Sequence, residues 1–134
     1  MKIVLDTNVL ISGIFFSGPP YQILREWKKG NIEFAISSEI LTVYRRVAEE
    51  LSIKFPNIEI EQILNLLTIH AEFFDTSDFS VSVCEDPDDN MFISCALASK
   101  SKIIVSGDKH LLKISGYQNI VVLKPRDFID KYLI

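Results

Sequence analysis

The chain has 134 residues, 48% hydrophobic and 24% charged, with 14 Lys and Arg against 18 Asp and Glu and a formal net charge of −4. That length is one domain, 1–134, and a folded chain of this size exposes roughly 7,000 Å² and buries about two thirds of its unfolded surface. The composition excludes disordered, collagen-like and coiled-coil chains, and the mild acidity gives no overall positive field to attract nucleic acid.

The run KIVL, Lys2–Leu5, ends on Asp6 and predicts a short buried strand. Val9, Leu10, Ile11, Ile14, Phe15 and Phe16 then predict a mostly buried helix, broken at Ser17-Gly18-Pro19-Pro20. Tyr21, Ile23, Leu24 and Trp27 favour a second helix that ends at Gly30. A strand over 32–36 follows. Ser37 or Ser38 caps the next helix, whose apolar face is Ile40, Val43, Tyr44, Val47 and Leu51. Pro56 stops it, and a further helix from about Glu59 carries Ile60, Ile63, Leu64 and Leu67 on one face.

Phe73 and Phe74 begin another strand. Phe79, Val81 and Val83 alternate with Ser80, Ser82 and Cys84, which predicts an extended segment. Asp86-Pro87 opens a helix with Phe92, Ile93, Ala96 and Leu97 toward the core, and 102–105 (KIIV) is a strand closed by Ser106-Gly107-Asp108. Gly107 suits a sharp turn there. A short helix, a last strand over 120–123 and a terminal helix from Pro125 complete the chain. Continuous apolar strands alternating with helices predict a parallel sheet covered on both faces, an α/β three-layer α/β/α sandwich.

Cys84 and Cys95 are too few for a disulfide framework or a zinc ribbon, and predict two reduced thiols. No signal peptide is visible, and no run approaches the about 20 apolar residues of a membrane span. The expected location is the cytoplasm, with no membrane partner.

The charge is segregated. Residues 55–99 hold nine acids and no Lys or Arg, a segment of −9, whereas 1–54 carry +1 and 100–134 carry +4. A solvated acidic face is one explanation; asymmetric recognition is another.

Two acids follow strands at the edge where open parallel sheets bind ligands: Asp6 after KIVL and Asp108 after KIIV. Asp88 and Asp89 lie in the first turn of the helix before KIIV, and Asp89 precedes Phe92 and Ile93 by three and four residues, so it shares their inward face. Each acid has a structural alternative as a helix cap. If the two strands are neighbours, Asp6, Asp89 and Asp108 converge. Two unit charges about 5 Å apart repel by roughly 3 kcal/mol at an effective dielectric near 20, so such a cluster protonates in part or binds a cation. Oxygen ligands favour Mg²⁺ or Mn²⁺ over zinc, and His70 and His110 fit no zinc spacing. An ion there suits phosphate-ester hydrolysis, by acidifying water and stabilising the leaving oxygen. No phosphate loop, dinucleotide fingerprint or nucleophile elbow competes.

Three segments together resemble the PIN-domain nucleases: Val4-Leu5-Asp6-Thr7-Asn8-Val9-Leu10, Asp86-Pro87-Asp88-Asp89-Asn90-Met91-Phe92, and Val105-Ser106-Gly107-Asp108-Lys109-His110-Leu111-Leu112. The likeness runs from Met1 to the last strand, and is strongest to toxin components of toxin–antitoxin pairs. It implies a Mg²⁺- or Mn²⁺-dependent endoribonuclease with Asp6, Asp89 and Asp108 as catalytic and metal residues. Asp88 and Glu39 are further candidate metal ligands. Asn8 is implied as a hydrogen-bond partner of Asp6, and Ser106 as a supporting hydroxyl beside the last acid. RNA is the implied substrate, an antitoxin protein an implied partner, and a homodimer the implied assembly.

One position departs from that pattern. In the run Ser37-Ser38-Glu39-Ile40-Leu41-Thr42-Val43-Tyr44 the family's usual Glu falls on Val43, and Glu39 lies one turn, about 5.4 Å, earlier. His110 also stands where relatives often have a further Asp. These departures leave open an alternative, a weakened or degenerate PIN module that binds RNA or a protein partner without cutting. A phosphoacceptor receiver-like domain is a third reading, suggested by Lys124-Pro125 after the last strand, but no central strand ends in a lone Asp. Lys28, Lys29, Arg45, Arg46, Lys109 and Lys113 are candidate RNA contacts, which would make binding salt-sensitive.

Overall fold

The computed structural model describes residues 1–133. Its centre is a five-stranded parallel sheet of β1 (Lys2–Leu5), β2 (Glu33–Ile36), β3 (Glu72–Phe73), β4 (Ile103–Val105) and β5 (Val121–Leu123), in the order β3-β2-β1-β4-β5. The strands are short because each is a continuous apolar run bounded by polar residues; β4 and three of the four residues of both β1 and β2 are buried. Helices cover both faces, giving the three layers that the alternation of elements predicts. The exposed area is 7260 Å², in line with the size scaling.

The chain steps outward from β1 to β2 to β3, then crosses back to place β4 on the other side of β1. The crevice beyond the carboxyl ends of β1 and β4 is therefore a topological switch point, the preferred ligand position in open α/β sheets. Register sets its width: Leu5 lies opposite Val105, and Val105 opposite Leu123. The Asp6 N–H donates to the Val105 carbonyl at 3.0 Å and continues that ladder one residue past β1.

Helix α1 (Thr7–Phe15) and helix α2 (Pro19–Lys28) fill the connection from β1 to β2. Gly18, at φ +119°, makes the corner between them, and Pro19 occupies the first helical position. Helix α3 (Ser38–Ser52) begins on a Ser37 cap whose hydroxyl accepts from the Ile40 N–H. Helix α4 (Ile60–His70) leads into β3, and α5 (Asn90–Ser99) into β4. Helix α6 (Lys109–Lys113) and α7 (Pro125–Phe128), the latter widening into a turn over Ile129–Leu133, flank β5.

The structure differs from expectation over 79–83. Phe79 closes a short 3₁₀ turn, Ser77–Phe79, and Val81 and Val83 pack half-buried on the core outside the sheet. Alternation places Val81 and Val83 inward as expected, but Phe79 is 39% exposed, Cys84 packs on the core, and the backbone finds a different partner. The Asn90 side-chain oxygen accepts from both the Val83 and Cys84 N–H groups, at 3.2 and 3.0 Å. Nor does the turn after β4 need glycine: Gly107 is absent from the positive-φ residues, and an added Cβ would meet nothing within 4 Å. No helix among the described residues is long and apolar enough to cross a membrane. Cys84 and Cys95 are free thiols; burial pushes them to pKa values of about 11 and about 12, so both are protonated at neutral pH.

Candidate functional site

Asp6, Asp89 and Asp108 reach the switch-point crevice by three routes. Asp6 is the residue at which β1 gives way to α1. It occupies the N-cap position, yet its carboxylate makes no capping bond and is only 5% exposed. Instead Oδ2 accepts from the Ser106 hydroxyl at 2.7 Å, across 100 residues of sequence. Ser106 is fully buried just after β4, and its oxygen also accepts from the Asp108 N–H at 2.9 Å. Asp108 uses Oδ1 to cap α6, accepting from the His110 N–H at 2.7 Å. Its capping role and its place in the crevice are thus compatible.

Asp89 enters from the 3₁₀ turn Pro87–Asp89 that precedes α5. The cap of that turn is Asp86, which accepts from the Asp88 N–H, so Asp89 is released from capping. It is 7% exposed, and its Oδ2 is buried without a hydrogen-bond partner. Asp88, one residue earlier, points to solvent.

The electrostatics tie the three acids together. Burial pushes the Asp89 carboxyl up to about 6, and the negative charges of Asp108, Asp6 and Asp86 push the same way. Burial also raises Asp6; the Ser106 hydrogen bond pulls it back, and Asp108 adds to the rise. Neither Asp6 nor Asp89 has an ion-pair partner among the described residues. The site is thus a well of negative potential with one orphaned oxygen, held by a hydroxyl rather than by a cation.

These donors fit a hard, oxygen-seeking dication. They do not form a ready cage: among the described residues, no group of three or more His, Cys, Asp and Glu side chains could hold a metal ion. Mg²⁺ has no need of one, since it usually keeps several waters and is held by one or two carboxylates plus substrate phosphate. Asp6 and Asp89 are the two carboxylates left free of capping for that role.

Other residues singled out in the sequence lie further out. Asn8 is exposed, and no hydrogen bond joins it to Asp6 among the described residues; Ser106 makes that contact instead. Glu39, in the first turn of α3, is exposed and accepts from the Thr76 hydroxyl at 3.4 Å. It is not among the charges acting on Asp6 or Asp89. Val43 is half-buried. Beside it, the Tyr44 hydroxyl is buried and donates to the Leu5 carbonyl at 2.5 Å, next to Asp6. In sequence Tyr44 is one of the apolar-face residues of its helix and nothing more. Its tether to the end of β1 is invisible in sequence because the partner is a main-chain oxygen 39 residues away.

Among the basic candidates, Lys109 and Arg46 are exposed, Arg45 pairs with Glu61 at 3.6 Å, and Lys113 pairs with Glu85. Glu85 also holds His110 Nδ1 at 3.2 Å, and His110 is close enough to Asp89 to offset part of its upward shift. Lys28 and Lys29 stand at the opposite edge of the sheet, near the start of β2, where they line a cleft with Ile32, Glu33 and His70. They are remote from the acids because α2 ends where β2 begins.

Comparison with known proteins decides the family. The PIN domain model matches residues 2–110, most of the chain and all three acidic positions. The chain belongs to the PIN domain family. The chain is also similar to an uncharacterised protein of Methanocaldococcus jannaschii, 31% identical over 150 aligned positions that cover 98% of this chain and 92% of that one. In three dimensions this PIN domain is similar to a chain in the crystal structure of VapBC2 from Rickettsia felis bound to a DNA fragment from its promoter. The TM-score is 0.57 at 19% identity, over 92% of this chain and 98% of the other, a likeness of fold.

Proposed function

We propose that this PIN domain is a divalent-metal-dependent endoribonuclease that hydrolyses RNA phosphodiesters with Asp6, Asp89 and Asp108, and that it is the toxin of a cytoplasmic toxin–antitoxin pair. The observation that carries the reading is the pair of buried carboxylates without a cationic partner, Asp6 and Asp89, the latter with an oxygen that has no hydrogen bond, at the crevice between β1 and β4. PIN domains are generally nucleases and typically use divalent metals. A dication, when bound, supplies Lewis acidity at a phosphodiester and acidifies water.

The chain's own residues do the rest. Ser106 fixes the Asp6 carboxylate by donating to Oδ2, and the Asp6 N–H bond to Val105 locks the backbone beneath it. Asp89, pushed up to about 6 by burial and by the neighbouring carboxylates, holds a proton in part near neutrality, and with Asp6 would hold the dication. Asp108 keeps its Oδ1 on the α6 cap, which fixes the direction of its carboxylate. Lys109, exposed beside Asp108, is the nearest free cation in sequence for an RNA phosphate. The antitoxin partner is supported by the fold shared with a VapBC2 chain; homodimerisation follows from the family resemblance alone.

Incubation of end-labelled RNA with the protein and Mn²⁺ or Mg²⁺ tests the proposal. Cleavage is expected with either ion and is lost on adding EDTA and in Asp6→Asn and Asp89→Asn. Cleavage that persists in both variants rules the assignment out.

A second reading is favoured by one observation: Val43, half-buried and apolar, occupies the position where the resemblance places Glu. On that reading the protein binds RNA or a partner without cutting. Val43→Glu distinguishes the two: a large gain of cleavage from an inert parent supports the non-cutting module, whereas an active parent supports the nuclease.

A further inference from the structure

A shallow, open cleft of about 340 Å³ lies between the first turn of α3, residues 76–81 and the start of α5. Its volume is at the low end of the roughly 300–1,000 Å³ of small-ligand sites, enough for one base with its sugar. Glu39, Thr76, Asn90 and Ser94 provide its polar groups, and Val81 and Met91 its apolar ones. Asn90 directly follows Asp89, so an RNA strand with a phosphate at Asp89 has a neighbouring nucleotide within reach of the cleft.

We infer that this cleft is a base subsite for single-stranded RNA and that Glu39 makes it select guanine. The inference rests on the ribonuclease reading for its substrate class. No Lys, Arg or His lines the cleft, so it offers nothing to a phosphate. Glu39 has no ion-pair partner among the described residues, and its one side-chain bond is the long contact from Thr76. A carboxylate presents two acceptors side by side. Among the four bases, guanine alone offers two adjacent donors, N1–H and the N2 amine, on its pairing edge. Adenine and cytosine place an acceptor beside their single amine, and uracil flanks its N3–H with two carbonyls, so each sets oxygen or nitrogen lone pairs against the carboxylate. Asn90 spends its oxygen on the Val83 and Cys84 N–H groups, which leaves its amide NH₂ free to donate to the guanine O6 or the sugar. Splayed bases read on their pairing edges are the usual basis of sequence preference in single-stranded RNA.

The test is binding, separate from cleavage. Fluorescein-labelled oligouridylates carrying one central guanosine, inosine, adenosine or cytidine are titrated with the intact protein in Ca²⁺ at fixed salt, and anisotropy is followed. Guanosine is expected to bind about tenfold tighter than adenosine or cytidine, the value of one good bidentate contact. Inosine, which lacks the N2 amine, loses most of that gain, and Glu39→Gln levels the series. Equal binding of all four oligonucleotides, or an unchanged ranking in Glu39→Gln, overturns the subsite. If the ranking holds while no RNA is cut, the nuclease reading fails and the subsite stands; cleavage without ranking means the reverse. No binding to any oligonucleotide overturns the subsite and leaves the nuclease reading to the cleavage assay.

Discussion

The Ser106 hydroxyl donates to Asp6 Oδ2 at 2.7 Å, joining the ends of β1 and β4 through side chains as the Asp6 N–H joins them through the backbone. Ser106→Ala removes the larger of the two hydrogen bonds that pull the Asp6 pKa down, the other coming from the Thr7 backbone, and also frees the Asp108 N–H. Losing the hydrogen bond that orients a metal-binding carboxylate typically costs about 10–100-fold in metal affinity or activity. The expected result is a Mn²⁺ activation curve displaced to higher concentration by that factor, with a folded protein by circular dichroism. An unchanged curve means Ser106 does not orient the site.

Asp89 links the site to stability through pH. Its folded pKa of about 6 lies above an ordinary 3.8. Below about pH 4 both folded and unfolded chains keep the proton. As pH rises toward 6 the unfolded chain has released it and the folded chain has not, so the metal-free fold loses stability, and the loss is complete above about pH 6. Asp89→Asn lacks this penalty. Its Tm should exceed the parent's at pH 7.5 in EDTA and approach it at pH 4; the same difference at both pH values contradicts the assignment.

Gly13 sits in α1 where α2 crosses it. An added Cβ would stand 2.6 Å from Leu24 Cδ1 and 2.8 Å from the Pro20 carbonyl oxygen. Helix propensity favours alanine by about 1 kcal/mol, but overpacking of this kind costs about 1–3 kcal/mol, and a backbone oxygen cannot swing aside. Gly13→Ala is expected to lower Tm by several degrees in a thermal melt.

Asn90 replaces a strand neighbour for residues 83 and 84. Asn90→Ala leaves two half-buried N–H groups without acceptors, at about 1–3 kcal/mol for each group left unsatisfied. Amide hydrogen exchange should speed up at Val83 and Cys84, while Asn90→Asp, which retains an acceptor, protects them. Uniform exchange across all three proteins speaks against the clamp.

The fold was legible where burial is two-sided. KIVL and KIIV have no alternation because both faces of a parallel strand are covered, and their abrupt ends mark Asp6 and the 106–108 turn. The spacing of Asp89 from Phe92 and Ile93 put its carboxylate on the packed side of α5, and there it is buried. What sequence could not supply was choice of partner. Alternation over 79–83 points Phe79 inward where it is in fact exposed, and says nothing of who accepts the N–H groups of Val83 and Cys84. Asn8, two residues from Asp6, was the nearer candidate for its carboxylate, but Ser106 is the neighbour once Leu5 and Val105 are in register. Charge alone makes Lys28 and Lys29 candidate RNA contacts, whereas strand direction places the end of α2 at the far edge, by the start of β2.

The Ser106–Asp6 bond spans 100 residues, and β1 has β4 as a neighbour only after β2 and β3 have been laid down on its other side. During synthesis, then, Asp6 leaves the ribosome 100 residues ahead of Ser106 and waits for that whole stretch before its hydroxyl partner exists. A nascent chain, or one truncated before residue 106, carries the first acid of the cluster without its restraint or its companion Asp108. The topology itself delays assembly of the acidic cluster until β4 and the turn after it have been made.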